Sequence, residues 1–319
     1  MTPARQPPAS GGAGVKVSTD VALPGVADGT PLPLVCRWPE NSPPKGFVVF
    51  CHGLSASGRD YAELSSHWAA DGYLVVHPTF PDWVGAVAAA EPELGLDPEG
   101  DLAGWVTDPK VRPRMYEILH TPFYWMERVR IVRRVMDGLE AVFTATCGTP
   151  PNVIAGAIAG HSFGAYTSQL FAGAAIDVPG KGYRSFKDRR FAAAILLSAQ
   201  GRDQQGLREG SWDDITGPMM NVTGTLDGGA KGQDWRWKIE PYEFAPPGDK
   251  YLAVLADADH YLGGVARPEQ APITTHKNAV FQLTLAFLNA YLASDSVAKS
   301  WLGSIGDRVG ECPVLLKRK

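Results

Sequence analysis

The chain has 319 residues, 45% of them hydrophobic and 20% charged, an ordinary globular composition with material for a sizeable core. A formal net charge of −4 gives no electrostatic case for nucleic acid or an anionic membrane surface as a partner. No apolar run approaches the roughly 18 residues of a membrane span, and the 4 cysteines (Cys36, Cys51, Cys147, Cys312) lack metal-ligand spacing, so neither a membrane span nor a metal site is expected.

Taken in order, Met1–Gly14 is rich in Pro, Ala and Gly and reads as a disordered arm without the apolar stretch of a secretory signal. The sequence as it stands therefore reads as cytoplasmic, and as secreted if a signal has been removed ahead of Met1. Val15–Leu23 and Leu32–Trp38 are strand-like runs on either side of a Pro/Gly turn, an expected antiparallel pair. Gly46–Cys51 is apolar throughout, the mark of a strand buried on both faces, and runs into His52-Gly53-Leu54. A helix is expected from about Arg59 to Ala70, and a second buried strand over Tyr73–His77. From Pro81 to Thr121 the pattern is irregular and suggests a lid or binding loop, in which Trp83 and Trp105, with Trp235 and Trp237 further on, could line an apolar pocket. Pro122–Thr146 has helical spacing, with Arg128, Arg130, Arg133 and Arg134 read as a solvated face. Cys51 and Cys147 fall at the ends of apolar elements and read as buried thiols, with a disulfide left open.

Next comes Val153–Gly164, an apolar run ending in Gly160-His161-Ser162-Phe163-Gly164, followed by a helix-compatible run over Ala165–Ala175. A serine between two glycines at a strand-to-helix turn is the setting of a nucleophile: the turn strains the backbone, and the glycines remove side-chain atoms that would collide. Phe191–Ser198, Pro218–Val222 and Tyr251–Leu255 are further strands, and a long amphipathic helix covers roughly Thr275–Ala293 before a short tail carrying Cys312. Strands alternating with helices predict a mostly parallel sheet with helices on both faces, in one domain over residues 15–319. Ligands bind at the carboxyl ends of such strands. His52-Gly53-Leu54, Ser162, Asp227 and His260 all fall there.

A serine hydroxyl needs a base, and the base needs a partner that fixes its tautomer. Of the 7 histidines, His260 lies just past the Tyr251–Leu255 strand and after both candidate acids. His52 reads as a turn-shaping residue and His161 as the variable residue of the Ser162 turn. Asp227 sits in a glycine-rich turn after Pro218–Val222, and Asp203, one strand earlier, is its rival. Asp257 and Asp259 read as solvated loop charges. An oxyanion hole would use the main-chain amides of Phe163 and Leu54.

The segments Phe50–Tyr61, Gly160–Thr167 and Gly224–Asp227, with Gly248–Leu255 leading to Asp259-His260, resemble the α/β-hydrolase superfamily. Within it they are most similar to dienelactone-hydrolase-like and platelet-activating-factor-acetylhydrolase-like esterases. The resemblance spans about Gly46 to Ala293. It implies an α/β-hydrolase fold and cofactor-free hydrolysis of small-molecule carboxylic esters through an acyl-enzyme on a Ser162–His260–Asp227 triad. Two departures stand out. The acetylhydrolases place their acid after the strand that follows the elbow helix, where this chain has Ser198. The nucleophile is Ser162 rather than the cysteine of dienelactone hydrolase. The same triad could equally serve a thioesterase, amidase or acyltransferase, and a non-catalytic hydrolase-like binding protein would be expected to lack one of its members.

Overall fold

A computed structural model describes residues 14–23, 31–98, 100, 102–148, 155–266 and 272–319. The expected arm lies outside the described residues except for Gly14, and Val153 and Ile154 lie outside them too. Among the described residues, ten strands form one sheet in the order β1-β2-β4-β3-β5-β8-β9-β10-β12-β11. Its central part is parallel: β4 (Tyr73–Pro78), β3 (Gly46–Cys51), β5 (Gly156–His161), β8 (Phe191–Leu197), β9 (Met219–Gly224) and β10 (Lys250–Leu255). One flank is the expected antiparallel pair, β1 (Val15–Leu23) and β2 (Leu32–Pro39), joined to β4.

The continuous apolar runs explain the parallel core. Each residue of β3, β4, β5, β9 and β10 is buried, because helices cover both faces. In β3 the side chains alternate: Phe47, Val49 and Cys51 enter one hydrophobic core, Val48 and Phe50 the other. The first core is closed by α4 (Pro122–Asp137), α5 (Leu139–Cys147) and α6 (Phe163–Ala172). The second is closed by α1 (Ala62–Ala70), α8 (Thr274–Leu292) and α9 (Ser296–Ser304).

Several expectations are corrected. Residues 81–121 are not irregular: they hold α2 (Val84–Ala90), α3 (Val111–His120) and two 3-10 turns between them. These pack a small core of Val84, Val87, Trp105, Val111, Met115 and Ile118. Pro92 and Pro113 hide the periodicity, although Pro113 lies in the first turn of α3, where proline costs little. The helix expected over Pro122–Thr146 breaks at Gly138, which packs so tightly on Leu23 that a Cβ would collide with that side chain. Arg130 and Arg133 are solvated as expected, but Arg128 is fully buried. Cys51 is buried and Cys147 is only half-buried; all four cysteines are free thiols. A small hairpin, β6 (Ala175–Val178) with β7 (Gly182–Ser185), follows α6. The chain end is not a tail: after α7 (Glu240–Phe244), α8, α9 and β11 (Arg308–Val309), β12 (Cys312–Arg318) pairs antiparallel with β10. Cys312 and Val314 point inward from β12 and Pro313 and Leu315 outward, a period-two signal in the sequence.

The tightest junction lies where β5 turns into α6. A Cβ on Gly164 would collide with the carbonyl of Cys51 at the end of β3, and one on Gly160 with the backbone of Gly164. Neither obstacle is a rotatable side chain. Gly164→Ala is therefore expected to cost about 3 kcal/mol or more, read as a lower urea midpoint. Gly104→Ala, whose Cβ would meet open space, is the control and should leave the midpoint nearly unchanged.

Candidate active site

Ser162 stands alone between β5 and α6 with φ 54° and ψ −120°, a left-handed conformation that strains any residue but glycine. Its neighbours hold it there: the Ser162 amide donates to the Leu197 carbonyl at 2.8 Å, and the Tyr166 amide donates to the Ser162 carbonyl at 3.0 Å. The side chain is thereby thrown clear of the sheet towards the loop after β10.

That loop brings His260 to it. Nε2 of His260 is 3.0 Å from the Ser162 hydroxyl, and Nδ1 is 2.8 Å from Oδ1 of Asp227. Facing a carboxylate, Nδ1 carries the proton, so Nε2 accepts from the serine O–H. Asp227 is fully buried beyond the end of β9. Oδ2 accepts from the Thr223 hydroxyl at 2.8 Å, and Oδ1 also accepts from Ser198 at 3.0 Å. The Ser198 oxygen lies 2.9 Å from Nδ1 of His260, sharing that N–H with the carboxylate. Lys238 approaches the same Oδ1 to 3.7 Å, at ion-pair range. Burial pushes the Asp227 carboxyl up, but Lys238, then His260, and the hydrogen bonds from His260 and Ser198 outweigh it and hold the group well below the usual carboxylate range.

A second network fixes the loop after β3. His161, buried, donates from Nε2 to the His260 carbonyl at 2.7 Å, and its Nδ1 meets the Tyr61 hydroxyl at 3.1 Å. Tyr61 in turn accepts from the Gly53 amide at 3.0 Å. Thus the histidine of the glycine-flanked turn ties the His260 loop to the Gly53 loop. Burial, and next the neighbouring His260, push the His161 imidazole down to about 3. Beneath that loop, Arg128 binds Asp82 through two hydrogen bonds of 2.8 and 2.5 Å, both side chains fully buried. Its Nη1 donates to the His52 carbonyl at 2.9 Å, and its guanidinium stacks on Phe163, 4.0 Å from the ring centre. His52 accepts the Phe80 amide at Nε2 (2.8 Å), so its Nδ1 donates to the Gly53 carbonyl (2.7 Å). A trans peptide points its N–H opposite its C=O. With the Gly53 carbonyl held inward, the Leu54 amide faces outward.

The residues expected at the site are placed as follows. Ser162, His260 and Asp227 form one hydrogen-bonded chain. Phe163 opens α6, so its amide is one of the four without an intrahelical acceptor. Leu54 is half-buried and packs against the 84–118 cluster. Asp203 is not at the site: it is exposed, in a turn closed by its own amide on the Leu207 carbonyl. Asp257 and Asp259 are exposed loop charges as expected. Trp105 is buried in the 84–118 core, while Trp83, Trp235 and Trp237 are half-buried. Sequence reasoning marked Ser198 only as a position lacking an acid, and it missed Thr223, Lys238, Tyr61, Asp82 and the part that Arg128 plays. Only Arg128 left a signal, since it lies three residues after Trp125 and four before Val132, on the apolar stripe of α4.

Among the described residues no group of three or more His, Cys, Asp or Glu side chains is disposed to hold a metal ion, and no helix is long and apolar enough to cross a membrane. Comparison with protein-family models gives no match, and comparison with curated proteins gives none. The site is therefore read from its own geometry: a serine aligned with an imidazole, itself aligned with a carboxylate, an arrangement that can take a proton from a hydroxyl as it attacks.

Two outcomes follow for stability. His161, His52 and His77 are all held neutral, chiefly by burial, with the last two pushed well below the usual range. As pH falls below about 6.5 the unfolded chain takes protons that the folded chain refuses. Stability should then drop by up to about 1.4 kcal/mol per pH unit for each imidazole. Urea midpoints at pH 7, 6 and 5 should fall stepwise, and a flat series would contradict this account. Separately, Arg128→Met leaves Asp82 buried without its cation and should cost about 3–5 kcal/mol, read in the same assay.

Proposed function

We propose that the protein is a serine hydrolase of the α/β-hydrolase kind, cleaving small-molecule carboxylic esters through an acyl-enzyme. The observation that carries this reading is the unbroken Ser162–His260–Asp227 chain, 3.0 and 2.8 Å long in its two links, on a serine held in a left-handed turn between strand and helix. The Ser, Asp, His order along the chain and the strand-turn-helix setting of Gly160–Gly164 support it.

In the proposed reaction, Ser162 Oγ attacks the ester carbonyl while its proton passes to His260 Nε2. Asp227 holds the imidazole in the required tautomer and stabilises the imidazolium. The negative charge on the carbonyl oxygen is met by the amides of Phe163 and Leu54, the first also at the positive end of α6. His260 then gives its proton to the departing alcohol, leaving an ester on Ser162. Water, deprotonated by His260, attacks that ester and releases the acid. Residues 81–121 act as a cap, and Leu54 and Trp83, half-buried at the margin of its packed core, offer apolar surface to the substrate.

The test is covalent labelling by a fluorophosphonate, followed by turnover of acyl esters of increasing chain length beside matched thioesters and amides. Ser162→Ala should abolish labelling and lower kcat far more than tenfold while circular dichroism stays unchanged. His260→Ala should remove most turnover. Asp227→Asn should lower kcat by about 10⁴, and Asp203→Asn by less than about tenfold. A large loss from Asp203→Asn with a small one from Asp227→Asn would reverse the acid assignment. An unlabelled, inert wild-type protein would overturn the reading altogether.

A further inference from the structure

A buried lysine needs a reason. Lys238 lies in the 3-10 turn Trp235–Ile239, between β9 and α7, and its side chain is only 3% exposed. The turn is anchored from both ends. Asp234 caps its start by accepting the Arg236 amide, and the Asn221 side chain of β9 donates to the Lys238 carbonyl at 2.9 Å. This leaves the Lys238 backbone little freedom, and its ammonium points at the Asp227 carboxylate. An isolated ammonium in such a place is costly; opposite a carboxylate it is tolerated.

The oxygen it meets is the informative detail. Lys238 approaches Oδ1, the same atom that accepts from His260 and Ser198, while Oδ2 is left to Thr223. A positive charge at that oxygen competes directly with a positive charge on His260. We propose that Lys238 is a positioning residue of the Ser162 site. On this inference its ammonium keeps Asp227 ionised and lowers the proton affinity of His260, so that the base stays neutral and competent into mildly acidic solution. The inference rests on the reading of Ser162, His260 and Asp227 as a hydrolytic site.

The other titratable groups around the pair do not supply this charge. His161, against the His260 carbonyl, is neutral above about 3. Tyr261 stands edge-on to the His260 ring, and Asp257 and Asp259 are solvent-exposed in the same loop. From the loop after β8 come Ser198, already bonded to Asp227, and Arg202, which is paired with Glu240 of α7. From β9 the neighbours are Asn221 and Thr223, and α7, next along the chain, carries Tyr242, which is buried, and Glu243, which is exposed. Lys238 also lies over the ring of Trp237, 5.3 Å from its centre, a contact that favours a cation. Burial lowers the Lys238 pKa and Asp227 opposes that, so the pair is held together by each partner's charge.

The test compares wild type with Lys238→Met and Lys238→Gln. The pH dependence of kcat/KM on p-nitrophenyl acetate should keep its shape, but its acid limb should move up by about one pH unit in both variants. Activity at pH 5.5 should then fall several-fold to tenfold further than the plateau near pH 8.5 does. A merely structural lysine would lower the plateau and leave the limb in place, and that result overturns the proposal. Independently of turnover, the imidazole carbon of His260, labelled with carbon-13 and assigned through its loss in His260→Gln, should titrate about one unit higher in the variants. An unmoved titration in a folded variant also overturns it. If Lys238→Met does not fold, Lys238→Gln, which retains a polar end without charge, reads the same shift. The nuclear resonance experiment separates the two claims: a shifted titration in a protein that hydrolyses nothing removes the hydrolase reading and keeps the lysine, while active variants with an unmoved limb do the reverse.

Discussion

The close approach of α6 to the end of β3 sets the rest of the arrangement. Gly164 lies against the Cys51 carbonyl and Gly160 against Gly164, with no room for a Cβ at either position. That closeness drives the chain through so sharp a turn that Ser162 must take a positive φ. The strain is offset by the two main-chain hydrogen bonds of Ser162, to the Leu197 carbonyl and from the Tyr166 amide. Because the second of these belongs to α6 and the first to β8, the serine is registered against the sheet and the helix at once. His260, which arrives from the far side of β10, then needs only a loop of the right length.

Buried charge does the remaining positioning. Arg128 and Asp82 lie where neither could be left unpaired, and the guanidinium uses its further donors on the His52 and Gly53 carbonyls. A pair of this kind adds little net stability relative to an apolar pair of the same shape, but losing one partner is expensive, so the geometry is strongly specified. Exposed pairs such as Arg190 with Asp137 have no comparable leverage, since water screens them. Asp227 repeats the logic within the site: three hydrogen-bond donors and one ammonium converge on a carboxylate with no access to solvent. The Ser198 hydroxyl belongs to the same set: it donates to Asp227 Oδ1 and lies 2.9 Å from His260 Nδ1.

Much of this was legible in the sequence. The buried strands are continuous apolar runs, and their alternation with helices implies the parallel pairing, though not the order in which the strands lie. Ser162 announces itself through flanking glycines that only a strand-to-helix turn requires. His260 and Asp227 could be chosen because ligand sites in parallel sheets gather at the carboxyl ends of strands. The helices within 81–121 were obscured because prolines near helix starts look like breaks, and β12 was missed because Pro313 near its start and the basic run Lys317–Lys319 at its end make the segment look like a tail.

What the sequence determined alone is what depends on neighbours along the chain: the periodicities, the glycine-flanked turn, the identity of the nucleophile candidate. Between Asp227 and Asp203 it offered a preference, and only the folded chain decided, burying one carboxylate against His260 and turning the other to solvent. Likewise Arg128, Tyr61, His161 and Lys238 acquire their roles from partners 46, 100, 99 and 11 positions away, respectively Asp82, His161, the His260 carbonyl and Asp227. A charge is inert on a solvated helix and decisive in a closed interior. Which of these it meets is fixed by how the sheet brings distant segments together, and no local pattern encodes that.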